Sequence, residues 1–453
     1  MKTKNRNLIY TFVLLGIISL FFSACSEKST NNWPKFLGPE SGMVLSSQNL
    51  PTVWNDSTNV KWTQAMDGVS WSSPIVTGDK IFYSSSVLVK EAPKKEVENT
   101  PPPPQTQEED ESYKEAVYRW QLTCLDTKTG SEIWKSVSYE GHPRTKKHAM
   151  NYYADETPVT DGEHVWVYYG MIGVYCYDLD GNLVWKQDPG AYPTANGWGT
   201  GSSPVLYNNT LYLLVDNEES SFIIAYDALT GEEKWKKDRD EKTTYSTPVI
   251  WKNNVRTELV TLGSKARSYD PESGKLIWEL SIKSGVSIPS PAFDTEHIYF
   301  GNAGGPSGVG ALYCVKAGAS GNITPEEGAL TNDYVVWADT LAGTANPSPV
   351  LYDGLIYLLS SRGGEVTCIE ASTGDLVYKD KVNKAAACWA SPWIANNQLY
   401  FYDEKGVTQV IKAGREFEVI ESNKLDDKFW ASIAVADDDY IFKGVDKIYC
   451  VGN

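Results

Sequence analysis

The chain has 453 residues, 41% of them hydrophobic, with 16 Trp and 27 Tyr, which is enough apolar surface for a large core. Its formal net charge of −17 would repel nucleic acid phosphates, so the composition argues against DNA or RNA as a partner. Beyond the N-terminal apolar run, no segment is long and apolar enough to predict a membrane-spanning helix.

The N-terminus predicts a secretory signal peptide over residues 1–24. Three basic residues lie within the first six, an apolar run covers residues 8–22, and small residues precede Cys25. This arrangement resembles a bacterial lipobox, in which Cys25 is lipidated and becomes the mature N-terminus; the alternative is an ordinary signal peptide beside a coincidental cysteine. Cleavage would move the net charge from −17 to −20. We expect a polar tether at 25–32 and a lipid anchor to the bacterial outer membrane, facing either the periplasm or the exterior.

A sequence repeat runs through the rest of the chain. Each copy begins with Ser or Thr followed by Pro, a short apolar run and a turn, and most copies are 41 to 46 residues apart. Two longer intervals, of 84 and 58 residues, contain insertions. The anchors are Ser73-Pro74, Thr157-Pro158, Ser203-Pro204, Thr247-Pro248, Ser290-Pro291, Ser348-Pro349, Ser391-Pro392 and a degenerate Ser432-Ile433. Periods of this length are typical of propellers and solenoids.

Each copy predicts four short β-strands. After the anchor strand and a second apolar strand, a third strand ends in an acidic turn, and the fourth carries an aromatic residue. The fourth-strand residues are Trp134, Trp185, Trp235, Trp278, Trp337 and Tyr378, with Val419 in a weak seventh copy. Short strands separated by turn residues, without helical periodicity, favour four-stranded antiparallel blades. The sequence therefore predicts an all-β fold, an eight-bladed β-propeller.

The eighth copy has only three strands before the chain ends at Asn453. We expect residues 59–62 to supply the missing strand and to close the ring by pairing the two ends of the chain. A seven-bladed ring is the alternative, but it leaves Trp62 unexplained. The predicted propeller domain covers residues 33–453 and includes a Pro-rich, acidic insertion at about 90–115, whose composition predicts disorder.

The turn from Asp126 through Gly130 to Trp134 resembles the tryptophan-docking repeat of pyrroloquinoline quinone (PQQ)-dependent dehydrogenases. It also resembles the repeat of the β-propeller lipoproteins of the outer-membrane barrel-assembly machinery. The opening Trp-Pro-Lys-Phe-Leu-Gly-Pro at 33–39 is similar to a large bacterial family of PQQ-like repeat proteins. The resemblance implies a quinoprotein-like propeller over 33–453, with the repeat tryptophans packed between blades as core. It leaves the activity open, because one fold hosts many functions.

The cysteines and histidines do not predict a catalytic or metal site. Five cysteines share one third-strand position, and the blade spacing would hold them too far apart for disulfides. The dehydrogenases that the repeat resembles have adjacent cysteines over the quinone and a carboxylate and amide set for calcium, and neither pattern is found in this sequence. Four scattered histidines do not match zinc-ligand spacing. We expect no catalytic residue, no metal and no cofactor; PQQ with calcium is the alternative.

The residues that precede the anchors should ring one mouth of the central channel. The third residue before each anchor proline, or its equivalent, is Trp71, Asp155, Gly201, Tyr245, Ile288, Asn346, Trp389 and Trp430. The predicted ligand-binding residues are Trp71, Tyr153, Asp155, Trp198, Tyr245, Asn346, Trp389 and Trp430. Flat aromatic faces suit a sugar ring, a quinone or a peptide. The alternative is that these rings pack on one another and plug the channel.

These observations predict a non-catalytic, lipid-anchored propeller that binds protein or glycan partners in the bacterial cell envelope. We expect a monomeric ring that contacts the membrane only through its anchor. A PQQ-dependent dehydrogenase of alcohols or sugars is one alternative, and a carbohydrate-binding module for glycan uptake is another.

Overall fold

The computed structural model describes residues 32–39, 42–45, 49–92, 112–282, 287–302, 310–343 and 346–453. The predicted signal peptide, Cys25, the tether up to residue 31 and the centre of the acidic insertion (93–111) lie outside these residues. The described elements are β-strands and three short 3-10 turns, at Ser112–Glu115, Gly170–Ile172 and Ala195–Gly197. In this part of the chain no helix is long and apolar enough to cross a membrane.

Eight sheets surround a central channel, which confirms the predicted eight-bladed β-propeller of four-stranded antiparallel blades. We number the blades in chain order and the strands from the channel outwards. Blade 1 consists of Ile75–Thr77, Lys80–Lys90, Val117–Asp126 and Glu132–Gly141, and blade 2 of Val159–Thr160, His164–Tyr168, Val174–Asp178 and Leu183–Gln187. Blade 3 consists of Val205–Tyr207, Thr210–Val215, Phe222–Asp227 and Glu233–Asp238, and blade 4 of Val249–Lys252, Thr257–Thr261, Lys265–Tyr269 and Leu276–Ser281. Blade 5 consists of Ala292–Phe293, His297–Gly301, Leu312–Lys316 and Val335–Asp339. Blade 6 consists of Val350–Tyr352, Leu355–Leu359, Glu365–Glu370 and Leu376–Lys381, and blade 7 of Trp393–Ala395, Gln398–Tyr402, Val407–Lys412 and Val419–Lys424.

Blade 8 joins the two ends of the chain, as predicted. Its three inner strands are Ala434–Ala436, Asp439–Lys443 and Lys447–Val451, and its outer strand is Val60–Ala65. The last two pair antiparallel, with Trp62 opposite Cys450. The ring therefore closes through a four-stranded sheet that combines both ends of the chain.

Each face of the disc carries a fixed set of loops, because successive strands of a blade are antiparallel. The upper face, as we define it, carries the anchors, the links between blades and the loops between second and third strands. We call lower the face with the turns between first and second strands and between third and fourth strands. The described flanks of the acidic insertion, 91–92 and 112–116, thus lie on the upper face, and the blade 5 insertion at 317–333 lies on the lower face.

Burial follows position in the blade. All six residues of Thr210–Val215 are buried, because an inner strand is covered on both sides by neighbouring blades. In the outer strand Glu233–Asp238 only Trp235 is buried, and the other five residues are charged and exposed. The repeat thus places apolar runs in the inner strands and Lys and Glu at the outer edge, which discourages pairing between discs.

The repeat tryptophans dock onto the next blade, as the resemblance implied. The indole N–H of Trp134 donates to the carbonyl oxygen of Leu179 at 2.9 Å, and that of Trp185 donates to Ala228 at 2.8 Å. Each ring also covers the glycine of the acidic turn that receives it, Gly181 and Gly231 respectively, so closely that a Cβ there would clash. Trp235 and Trp337 make the same bond to Pro271 and Ala371.

Blade 4 departs from this rule. The ring of Trp278 is fully buried, but its indole N–H donates to the carboxylate of Glu258 in its own blade at 2.7 Å. The reason is the insertion in blade 5, which replaces the acidic turn: its residues Gly321–Asn322 add a fifth, parallel strand to the outer edge of blade 4.

Hydroxyl groups join neighbouring anchors in two runs, 73 to 247 and 290 to 432, a role that the sequence did not reveal. The Ser73 amide N–H donates to the Thr157 hydroxyl at 2.9 Å, and the Thr157 amide donates to the Ser203 hydroxyl at 2.9 Å. Similar bonds link the amides of Ser203, Ser290, Ser348 and Ser391 to Thr247, Ser348, Ser391 and Ser432. Because a buried amide must be hydrogen-bonded, the anchor position requires a hydroxyl group.

A segment that we call the plug (the described residues of 32–54) crosses the channel near the lower face. Asn32–Trp33 pairs antiparallel with Thr77 and Val76 on the first strand of blade 1. Pro34 accepts a hydrogen bond from Thr160 of blade 2. Farther along, Met43 and Leu45 pair with Ile394 of blade 7, with N–O distances of 2.8 Å.

The plug is held by apolar burial as well as by backbone pairing. Trp33, Leu37 and Met43 are all at most 5% exposed. The segment leaves the channel between blades 7 and 8, where the buried ring of Trp54 packs against Tyr400 and Phe442. The residues at 33–39 that resemble a known family are therefore the ones that close the lower end of the channel.

Candidate functional site: the upper aromatic rim

Three predicted rim residues from three blades form one stack. The rings of Trp71 and Trp430 are 4.4 Å apart at 14°, and those of Trp430 and Trp389 are 4.7 Å apart at 27°. All three side chains are half-buried. We call this group the Trp stack. Blades 1, 8 and 7 place their anchors side by side, so each blade delivers the residue before its anchor to the same mouth.

Polar contacts fix the outer rings of the Trp stack. The indole N–H of Trp71 donates to the carbonyl oxygen of Met150 at 2.6 Å, and that of Trp389 donates to the Glu404 carboxylate at 3.0 Å. The ring of Tyr152 lies 4.7 Å from that of Trp71, tilted by 56°. The polar edges are thus satisfied within the protein, and the remaining ring surfaces form an apolar patch on the upper face.

Asp155 supports the stack from below. Its carboxylate accepts the amide N–H of Trp71 at 2.9 Å and that of Tyr152 at 3.4 Å. Burial raises the pKa of Asp155 to about 6, although the two amide donors oppose this shift. Nearby, the buried ammonium of Lys443 donates to the carbonyl oxygen of Ser70 at 2.7 Å. Burial lowers the pKa of Lys443 to about 7, while the charge of Asp155 acts in the opposite direction.

The other predicted rim residues lie apart from the stack. Trp198 and Tyr245 form a second, looser pair, with ring centroids 6.5 Å apart, and Trp198 is 41% exposed. Asn346 is half-buried and adjoins residues outside the described part of the chain. The structure thus brings Trp71, Trp389, Trp430 and Asp155 together, and it separates Trp198, Tyr245 and Asn346 from them.

Tyr153 turns away from the channel. Its ring packs edge-on against Tyr118 at 5.1 Å and near Trp120, and its carbonyl oxygen accepts the Trp120 indole N–H at 2.8 Å. The residue borders a cavity of about 370 Å³ on the upper face of blade 1, beside the loop between its second and third strands. Its neighbour Tyr152, which was not singled out from the sequence, is the one that meets the Trp stack. Tyr153 adopts a positive φ of 67°, so the local backbone departs from a regular extended loop.

The Trp stack leaves no slot for a flat cofactor between its rings. A planar ring inserted between two others needs centroid spacings of about 7 Å, twice the usual carbon–carbon contact distance. The observed spacings are 4.4 and 4.7 Å. A quinone therefore does not fit inside this stack. Within the described ranges, no group of three or more His, Cys, Asp or Glu side chains is placed to hold a metal ion.

A buried carboxyl group next to the rim also escaped the sequence analysis. Glu156 is 1% exposed, and its Oε1 has no hydrogen-bond partner among the described residues. Burial raises the pKa of Glu156 to about 8. Thr200 and Gly170, which lie beside this oxygen, line a small cavity of about 20 Å³ between blades 2 and 3.

Fold, docked tryptophans and rim together define a quinoprotein-like β-propeller. Residues 119–320 and 328–415, more than half of the chain, match the model of a family described as outer membrane protein assembly factor BamB. The chain belongs to this family. A search of curated proteins finds no match.

Three solved structures are similar to this chain at low sequence identity. A europium-containing methanol dehydrogenase superposes with a TM-score of 0.58 at 9% identity, over 94% of this chain and 99% of the dehydrogenase. A quinohemoprotein alcohol dehydrogenase from Pseudomonas putida HK5 superposes with a TM-score of 0.54 at 10% identity, over 94% of this chain and 80% of that dehydrogenase. BamB from Moraxella catarrhalis gives a TM-score of 0.39 at 13% identity, over 66% of this chain and 96% of BamB. The superpositions on the two dehydrogenases show the fold and not the activity.

Proposed function

We propose that this protein is a non-catalytic scaffold of the bacterial cell envelope, anchored by a lipid on Cys25, that binds a protein partner through its upper rim. The observation that carries the proposal is the Trp stack, in which Trp71, Trp430 and Trp389 of three blades form one apolar patch. Tryptophan is enriched among the residues that dominate binding energy at protein interfaces. Membership of the BamB family, named for outer membrane protein assembly, supports an envelope partner.

The geometry favours a protein partner over a glycan. Sugar rings bind on an open aromatic face, whereas both faces of Trp430 are covered by its neighbours. The Trp71 ring is further covered by Tyr152. What remains exposed is a patch of ring edges and surfaces that spans several blades, which suits apolar side chains of a protein. The looser pair of Trp198 and Tyr245 extends this rim on the other side of the channel.

The proposal includes no quinone cofactor, because the stack has no space for one between its rings. Titration of the purified propeller with PQQ and calcium, followed by absorbance and calorimetry, tests this part. We expect no saturable binding. Tight stoichiometric binding would overturn the non-catalytic assignment and favour an oxidoreductase.

Crosslinking in envelope preparations tests the rim. A photoreactive residue at the exposed Lys384, on the upper face beside blade 7, should give a defined crosslinked protein in the tagged full-length chain. Trp389→Ala and Trp430→Ala should each reduce the yield at least tenfold, the loss typical of an interface hot spot of about 2 kcal/mol. Leu376→Ala, at a 63% exposed apolar residue on the outer edge of blade 6, is the control and should not change it.

Unchanged crosslinking in both tryptophan variants would contradict the proposed binding surface. Affinity electrophoresis in polysaccharide gels distinguishes the remaining alternative. Retardation that is abolished by Trp71→Ala or Trp389→Ala would mean that the rim binds glycan instead of protein.

A further inference from the structure

We infer that the lower face of the disc is its membrane-proximal face, so that the aromatic rim points away from the lipid surface. The inference rests on the proposed lipidation of Cys25 and adds an orientation to the proposed function. It is carried by the place where the chain enters the propeller, which only the structure reveals.

The chain enters at the lower end of the channel. Asn32 is paired with Thr77, the last residue of the first strand of blade 1, and Trp33 is paired with Val76, one step higher. Because this pairing is antiparallel, the described chain starts at the lower end of that strand and runs upwards from Asn32 to Trp33. Trp33 and Leu37 of the plug are buried in the channel, so no open path leads upwards through the disc from this entry point.

The length of chain between the lipid and this entry point is short. Cys25 and Asn32 are seven residues apart. Fully extended chain covers at most about 3.6 Å per residue, so the two positions lie within about 25 Å of each other. The lipid surface is therefore no farther than this from the lower end of the channel.

A tether of this length does not reach around the disc. From the channel, the route crosses four strands spaced about 4.8 Å apart and then follows a strand of five or six residues at about 3.3 Å each, which exceeds roughly 30 Å in total. The upper face therefore cannot turn towards the bilayer while Asn32 stays paired with Thr77. A partner that binds the Trp stack must approach from the aqueous side.

Fluorescence energy transfer to the bilayer tests this orientation. The six described native cysteines are free and buried, and burial raises the pKa of Cys124 and Cys176 to about 12, so an introduced exposed cysteine can be labelled selectively. Glu219→Cys and Leu229→Cys are a matched pair, since both positions are exposed and lie just beyond opposite ends of Phe222–Asp227. Glu219 lies on the upper face and Leu229 on the lower face.

The full-length lipidated protein, labelled with a donor at either position, is reconstituted into phosphatidylcholine vesicles that contain an acceptor-labelled lipid. Zwitterionic vesicles are used because the lower turns carry acids such as Asp227 and Asp270, which an anionic surface would repel. We expect clearly stronger transfer from Leu229→Cys than from Glu219→Cys, since the two sites differ by about 17–20 Å along the strand. Equal or reversed transfer would overturn the inferred orientation.

The Cys25→Ser variant separates this inference from the proposed function. It should show no transfer from either position. If the unaltered protein also shows none, the anchor is wrong and the orientation falls with it, whereas the crosslinking test of the Trp stack still decides whether the rim binds a partner.

Discussion

The indole N–H of Trp62 donates to the carbonyl oxygen of Thr127 at 3.0 Å, which docks the outer strand of blade 8 onto blade 1. The same ring lies against Gly130, in the acidic turn of blade 1. Trp62 lies in the N-terminal strand that completes blade 8, so this contact joins the first and last units of the ring. It uses the bond that links consecutive blades elsewhere, as between Trp134 and Leu179.

Gly130→Ala should destabilise the propeller because the new methyl group would collide with the Trp62 ring. Gly78→Ala is the matched control: both glycines have positive φ, +70° and +57°, but a Cβ at Gly78 meets nothing within 4 Å. The free energy of unfolding of the control variant should fall by only about 1–2 kcal/mol, the cost of holding an alanine in the left-handed conformation. Urea unfolding should show a larger loss for Gly130→Ala. Equal losses in the two variants would mean that ring closure does not depend on this contact.

Ser203→Ala should lower the free energy of unfolding by about 1–3 kcal/mol, because it leaves the buried amide N–H of Thr157 without an acceptor. Ser203→Thr keeps the hydroxyl and should be close to the unaltered protein, since Thr occupies the same position at Thr157 and Thr247. Chemical denaturation of both variants measures the difference. A loss in Ser203→Thr as large as that in Ser203→Ala would argue against a role for the anchor hydroxyl groups.

Trp54→Ala should cost about 3–5 kcal/mol, the usual cost of removing a large buried aromatic side chain. Trp54 is 1% exposed and fixes the end of the plug between blades 7 and 8. Val53→Ala, at the adjacent residue that is 46% exposed, is the control and should change stability by less than about 0.5 kcal/mol. Thermal unfolding of the two variants provides the comparison, and similar midpoints would show that the plug contributes little to the fold.

Glu156→Gln should make the stability less dependent on pH. Burial raises the pKa of Glu156 to about 8 in the folded protein, so the folded state binds this proton more tightly than the unfolded chain does. Stability should therefore fall as the pH rises from about 4.5 to about 8, since burial of the ionised form is unfavourable. The glutamine variant cannot ionise and so avoids this loss. Its free energy of unfolding, relative to that of the unaltered protein, should rise by more than about 1 kcal/mol from pH 5 to pH 8.

Urea unfolding at the two pH values measures this gain. Glu163→Gln, at an exposed carboxylate of the neighbouring blade 2 turn, should leave the pH dependence unchanged. If Glu156→Gln follows the same pH dependence as the unaltered protein, the carboxyl group is not held protonated by its burial.

Most of the fold was predictable because its signals are local and repeated. The anchor, the acidic turn and the fourth-strand tryptophan each act within one blade or between neighbours, so one period of sequence predicts one unit of structure. The same logic placed Trp71, Trp389 and Trp430 at one mouth, since equivalent positions in adjacent blades must lie side by side. Ring closure through Trp62 followed from the count of strands.

The tertiary structure decided what depends on distant contacts or on side-chain direction. Leu45 pairs with Ile394, and the Trp54 amide N–H donates to the Asn423 side-chain oxygen; both contacts span more than 340 residues of chain. No periodic pattern encodes such pairs, so the plug was not anticipated. The choice of Tyr152 over Tyr153 for the Trp stack likewise depends on a local positive φ at Tyr153.

The sequence by itself therefore determined the four-stranded blade, the number of blades and the residues of the rim. These properties repeat from blade to blade and depend only on short-range contacts. Only the packed ring decided that the rim tryptophans stack closely on one another and that Glu156 is buried with its Oε1 unpaired among the described residues. It also decided that the chain enters from the lower face. These features arise where non-equivalent segments converge on the channel, and there the packing of the whole ring, more than any local pattern, sets the geometry.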